Sequence, residues 1–358
     1  MAEFDYGNAR LRAMKSRLLS RQELQGLAEA GSVKGVIAAL TNTPYRKPVE
    51  AALARTSGMD CISSALKDDL VNTLARIHCF YDGVAHEMVM IVLRIYDVHN
   101  LKTILRGLSS RALPAEILAA VLPVGDLDHH LLAELARLPD PRAAIDFLAT
   151  MNSPFAEPLL RMRALHPGAD TNRMELALEQ WSFLRAKTYL ESEDLNGDIL
   201  SSALELDVDI VNLLTICRFT HAPVERRLLR EWLGEDDLRA LMIGPGALSL
   251  DLLVQAGMLD TLEGAIEIFA GTVYEEPLHA GLAAYAQSAR LSDLERQLLR
   301  FRLRWMADKI TADPLGIGLV LGYVALKVNE VSNLRWIAQG ASLGLSPHAI
   351  RANMESAS

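Results

Sequence analysis

The side chains best suited to chemistry in this 358-residue chain gather at Asp126, Asp128, His129 and His130, where carboxylates and imidazoles could hold a divalent metal. Their spacing matches no standard zinc pattern, because adjacent histidines on a helix point about 100° apart. A solvated loop is the better reading. Asp194-Leu195-Asn196-Gly197-Asp198 resembles a calcium loop, but its glycine arrives too early and no Glu closes it at the right place. Asp68-Asp69 and Glu235-Asp236-Asp237 are lone acidic clusters without partners at matching positions. Gly316, Gly318 and Gly322 read GxGxxxG with no preceding strand and no βαβ unit, so small residues that let two helices approach closely explain them better than a dinucleotide site. No phosphate loop of the GxxxxGKS/T type exists, and no Ser-His-Asp or Cys-His set has supporting context. The expectation is a chain with no catalytic residue, no cofactor and no metal, which does not itself hydrolyse ATP.

Composition narrows the class further. Half the residues are apolar, 23% are charged and only 6% are aromatic. That balance, rich in Ala and Leu, favours helices over strands. A net charge of −9 argues against nucleic acid as a partner, which requires a basic face. One basic run does occur, Arg10, Arg12, Lys15, Arg17 and Arg21. It reads either as a solvated helix face or as a patch that meets an acidic partner or lipid headgroups. Cys61, Cys79 and Cys217 are odd in number and outside any CxxC pair, so they read as small buried residues in a reducing compartment. The first ten residues lack the apolar stretch of a signal peptide, and no run of about 18 uncharged apolar residues appears. A cytoplasmic protein, linked to a membrane only through partners, is the expectation.

The elements that must position these residues repeat. A hydroxyl residue, a spacer, an aromatic, two variable residues and proline recur as Thr43 to Pro48, Ser153 to Pro158 and Thr272 to Pro277, with Tyr45, Phe155 and Tyr274 as the aromatics. An acid, Val or Ile, any residue, then Asn-Leu recurs as Asp97 to Leu101, Asp209 to Leu213 and Glu330 to Leu334, with Asn100, Asn212 and Asn333 at the fourth place. The two motifs keep step at a period of about 110 to 120 residues. The chain therefore reads as a triplicated unit, with boundaries expected at 1–109, 110–221 and 222–358. Before the first motif runs an amphipathic segment in each copy, for example Val33, Val36, Ile37 and Leu40. Proline is expected to break the chain there, and a long helix to follow. The acid of the second motif is expected where a helix begins, near the positive end of its dipole. The asparagine amide is expected to tie that helix to a neighbouring backbone. The fold class is all-α.

Several stretches resemble the C (prokaryotic) or d (eukaryotic) subunit family of rotary V-/A-type ATPases. They are Tyr6 to Lys15 with Leu18-Leu19, Leu40 to Tyr45, and above all Glu330-Val331-Ser332-Asn333-Leu334-Arg335-Trp336-Ile337-Ala338-Gln339-Gly340, with Asp97 to Gly107 as its counterpart in the first copy. The resemblance covers residues 4 to 345. The middle copy departs from it, since Leu214 to Phe219 lacks the glycine found in the others, which leaves the end of that helix open. The resemblance implies three similar helical domains set about a pseudo-threefold axis as a cone. It implies a seat on the cytoplasmic face of the membrane proteolipid (c/L/K) ring, an open side that receives the central-stalk subunits D and F, and rotation with that shaft during ion transport coupled to ATP synthesis or hydrolysis. A helical repeat scaffold that binds peptides is the alternative, although common helical solenoids repeat every 33 to 47 residues. An all-α enzyme would need acidic pairs on facing helices, which the sequence does not supply.

Overall fold

The computed structural model describes residues 4–166, 168, 170–192, 197–221 and 235–356. Among them every regular element is a helix, α-helical throughout apart from one 3-10 turn at His78–Phe80. Residues 194–196 of the calcium-like stretch lie outside the described residues, as does the side chain of Glu235. The chain forms two compact units. The first comprises Met1–Ile104, Leu113–Arg137 and Leu303–Ser358, and the second Leu105–Ala112 and Leu138–Arg302.

The same local succession occurs three times. Each copy opens on a leucine followed by a side-chain N-cap: Leu19-Ser20, Leu127-Asp128 and Leu248-Ser249. Each cap accepts a backbone N–H three residues on and starts a short helix, Arg21–Ala28, His129–Ala136 or Leu250–Gly257. A second cap, Ser32, Asp140 or Thr261, starts the next helix, Val33–Leu40, Pro141–Thr150 or Leu262–Glu267. The apolar stripe of each turns inward: Val36 and Leu40, then Ala144, Ile145 and Leu148, then Leu262, Ala265 and Ile266 are buried.

The hydroxyl–aromatic motif is the turn that follows. Thr43 Oγ1 donates to the Leu40 carbonyl at 2.7 Å and accepts the Tyr45 N–H at 3.2 Å. Thr272 repeats both bonds, to Phe269 and from Tyr274, at the same distances. The hydroxyl thereby closes the turn and aims the aromatic two residues on. The backbone enters the turn with positive φ at Asn152 (51°) and Gly271 (78°), a region open to few residues besides Asn and Gly.

Proline does not break the chain. Pro48, Pro158 and Pro277 each stand third in a helix, Arg46–Leu53, Ala156–Leu165 and Glu275–Ser288, where the missing N–H costs nothing. The break lies a few residues earlier, at the hydroxyl turn. These helices are followed by longer ones, Gly58–Leu74, Thr171–Ser192 and Leu291–Ala312.

The acid of the second motif also departs from expectation in two copies. Asp97 lies in the first turn of Ile95–Ser109, but Asp209 and Glu330 sit mid-helix in Asp198–His221 and Gly318–Ser342. The residues before Glu330, Leu319 to Leu326, contain no proline or capping side chain to stop the helix. The middle helix runs to His221 without the glycine of its counterparts. Gly318–Ser342 forms the spine of the first unit, packed against Gly58–Leu74 and Val33–Leu40. At Gly322 a Cβ would strike Ile310, and the Met306 carbonyl would lie 2.8 Å away, so the small residue there does let two helices close up. In the second unit Asp198–His221 packs on Leu250–Gly257 and Leu262–Glu267.

Candidate partner interface

The residues suspected of metal chemistry are otherwise engaged. Asp126 pairs with Arg94 at 2.7 Å and Asp128 caps a helix through Leu131 N–H at 2.8 Å. Among the described residues no three His, Cys, Asp or Glu side chains converge as a metal site would require. Cys61 and Cys217 are buried, whereas Cys79 is exposed, because it falls in the 3-10 turn rather than on a packed face.

The second motif is a clasp. Asn100 donates to the Leu122 carbonyl at 2.7 Å and accepts the Leu122 N–H at 2.6 Å. Asn212 donates to the Gly244 carbonyl at 2.9 Å and accepts the Ile243 N–H at 2.9 Å. Asn333 does the same with both backbone groups of Glu355, at 2.8 and 2.9 Å. An amide carries a fixed donor and a fixed acceptor side by side, so one side chain satisfies both backbone groups. The acid three residues earlier grips the leucine that opens the next copy. Asp97 accepts the N–H groups of Asp126 (2.8 Å) and Leu127 (3.0 Å). Asp209 accepts those of Ala247 (3.0 Å) and Leu248 (3.2 Å). Glu330, in the last copy, accepts the N–H of Leu19 in the first. The acid of each copy thus holds the start of the next, and the last holds the first. Gly125 and Gly246 are required by this approach, since a Cβ on either would collide with the clasping carboxylate.

The aromatics join the same clasps. Tyr274 donates its hydroxyl to Asp209 at 2.8 Å, and Tyr45 donates to Glu330 at 2.6 Å. Burial, reinforced by the neighbouring carboxylate, pushes both phenols far above their usual range, so they remain donors. Phe155 has no hydroxyl, and packs instead against Trp181 with ring centroids 5.4 Å apart. Around Glu330 the last copy adds a cation. Lys327, only 7% exposed, reaches Glu330 at 3.0 Å, Asp69 at 2.7 Å and the Tyr45 hydroxyl at 2.8 Å.

Burial raises both Asp97 and Asp209 to about 6, against the pull of the N–H groups each accepts. The folded state therefore holds a proton more tightly than the unfolded chain, whose carboxyls titrate near 3.8. The resulting stabilisation is complete below that unfolded value and is lost as pH rises through about 6. Relative to Asp97→Asn, the wild-type chain should gain stability in urea titrations on going from about pH 7.5 to about pH 5. Identical responses in the two proteins would contradict this assignment.

The basic run does not form one face. Arg12 donates to the Pro314 carbonyl at 2.5 Å, and the buried Asn8 beside it donates to Gly316 at 3.0 Å and accepts the Tyr81 hydroxyl at 2.8 Å. Lys15 and Arg21 line a cleft of about 450 Å³ that runs toward Glu355. Arg10 and Arg17 line a separate pocket of about 720 Å³. That pocket also contains Lys47, Arg76 and Lys327, three cations that are scattered in sequence and that no linear charge run reveals.

A thrice-repeated set of capped helices, joined by the clasps of its acids and asparagines, defines an all-α repeat protein. The chain belongs to the ATP synthase (C/AC39) subunit family, whose model matches residues 7–353. It is 26% identical to the C subunit of the A-type ATP synthase of Methanococcoides burtonii over 354 residues, covering 98% of this chain and 93% of that one. Against the same A-type ATP synthase component of Methanosarcina acetivorans the identity is 27% over 355 residues, covering 98% and 92%. Against that of Halobacterium salinarum it is 25% over 360 residues, covering 99% and 97%. Membership makes the chain a non-catalytic subunit of a rotary ATPase or ATP synthase, with partners inside that complex. No described helix is long and apolar enough to cross a membrane.

Proposed function

We propose that the chain is the central-stalk connector of its complex, a cytoplasmic subunit that joins the shaft of subunits D and F to the membrane proteolipid ring and turns with them. Three helical repeat units, 1–109, 110–221 and 222–358, set about a pseudo-threefold axis, belong to this proposal. The single observation that supports it most is the clasp series, in which Glu330 of the last copy returns to Leu19 of the first. A connector under torque must resist being pulled open, and a chain tied back to its own beginning by a buried ion cluster does so. Close-packed helices deform little and so suit the transmission of torque. The basic run Arg10, Arg12, Lys15, Arg17 and Arg21 is the proposed contact zone for an acidic partner, offered on two sides of the N-terminal segment rather than as one face.

The test is deletion of the chain in its host. Inverted membrane vesicles should lose ATP-driven ion uptake, while the detached catalytic sector keeps its ATP hydrolysis. Vesicles that still pump at the wild-type rate without the chain would overturn the reading.

A further inference from the structure

The pocket beside the N-terminal helix has a charge opposite to that of the whole chain. The protein carries 36 Lys and Arg against 45 Asp and Glu. This one concavity is nonetheless lined by Arg10, Arg17, Lys47, Arg76 and Lys327, with Asp69 as its single acid. Asp69 is already bound to Lys327 at 2.7 Å, which leaves four exposed cations around the opening. None of the four forms an ion pair with a described residue. Four like charges facing one space repel one another. Arg10 is held in place by its guanidinium, 5.0 Å above the Phe80 ring and 5.5 Å from that of Tyr6.

We propose that this pocket receives an acidic segment of a partner polypeptide, one that displays two or more carboxylates beside apolar side chains. The proposal rests on the connector reading and deepens it. Three of the four free cations are arginines, whose planar fork takes a carboxylate through two parallel hydrogen bonds. Between the cations the wall is apolar, formed by Met14, Leu18, Pro44 and Pro48. A free phosphate or a lipid headgroup would satisfy the charges and leave that surface wet. A polypeptide that alternates acidic and aliphatic side chains covers both. Lys327 and Tyr45, which line the pocket, both bond Glu330 in the clasp that ties the last copy to the first, so the guest would sit against the closure of the chain.

The test places a photo-crosslinking side chain at Asn72, an exposed residue of the pocket wall, in the intact complex purified from the host. The expected product is a crosslink to one partner subunit, within a peptide that carries at least two Asp or Glu. R10E/R76E should reduce that crosslink at least tenfold. R142E/R161E, an equal charge change on the second unit, should leave it unchanged. Thermal melting would show whether R10E/R76E folds, with R10Q/R76Q as the replacement if it does not. A crosslink to lipid, to a partner segment without acidic residues, or to nothing in a complex that contains the chain would overturn the proposal and leave the connector reading intact. A wild-type chain that does not enter the complex at all would overturn both.

Discussion

Lys327→Met is expected to destabilise the chain by about 3–5 kcal/mol, the usual cost of removing one member of a buried ion pair. The methionine fills the same volume, so little of that loss comes from a cavity. What remains is electrostatic. Glu330, 4% exposed, and Asp69 would face each other across the Tyr45 hydroxyl with no cation between them. Glu330→Gln in the same chain removes one of the two charges and keeps an acceptor for the Leu19 N–H. The double variant should therefore recover at least about 1 kcal/mol of the loss, a clear departure from additivity. Urea titrations of the three proteins measure this directly. A loss below about 1 kcal/mol for Lys327→Met would mean that the cluster contributes little to holding the two ends of the chain together.

Asn212→Ala is the second large effect, expected at about 2–3 kcal/mol, because it leaves the buried Ile243 N–H and the Gly244 carbonyl without partners. Asn212→Asp separates the two roles. It keeps an acceptor for the N–H but turns a negative oxygen toward the carbonyl, so it should be no better than alanine at neutral pH. Asn333→Ala removes the same pair of bonds at Glu355, which is only half-buried and whose carbonyl also accepts from Asn329 at 3.2 Å. There the loss should appear as faster hydrogen exchange and proteolysis near Glu355, with a smaller change in global stability. Equal global losses at Asn212 and Asn333 would contradict this division.

The asparagines show how much the sequence alone revealed. Their recurrence in step with the acid and the aromatic exposed a repeated packing device and an amide directed at backbone. It could not expose the partner, because Leu122 and Glu355 lie 22 residues downstream while Leu19 lies 311 residues upstream of its acid. The leucine–cap pairs at 19–20, 127–128 and 248–249 carry a signal of the same period and mark the partners of the acids. Periodicity marks a helical face well and an uninterrupted helix poorly, so the acids of the later copies read as helix starts although they lie mid-helix. The basic run was legible as charge but not as geometry. Arg12 is consumed by a carbonyl, Lys15 and Arg21 open one way, and Arg10 and Arg17 open another to meet Lys47 and Arg76. Cations from four separate elements converge only once the chain has folded.

The most direct test of the connector role is affinity purification of the tagged chain from gently solubilised host membranes, with the co-purifying subunits identified by mass spectrometry. The account predicts recovery of a proteolipid together with the stalk subunits D and F. Recovery of neither, from membranes in which the rest of the ATPase is present and intact, would contradict it.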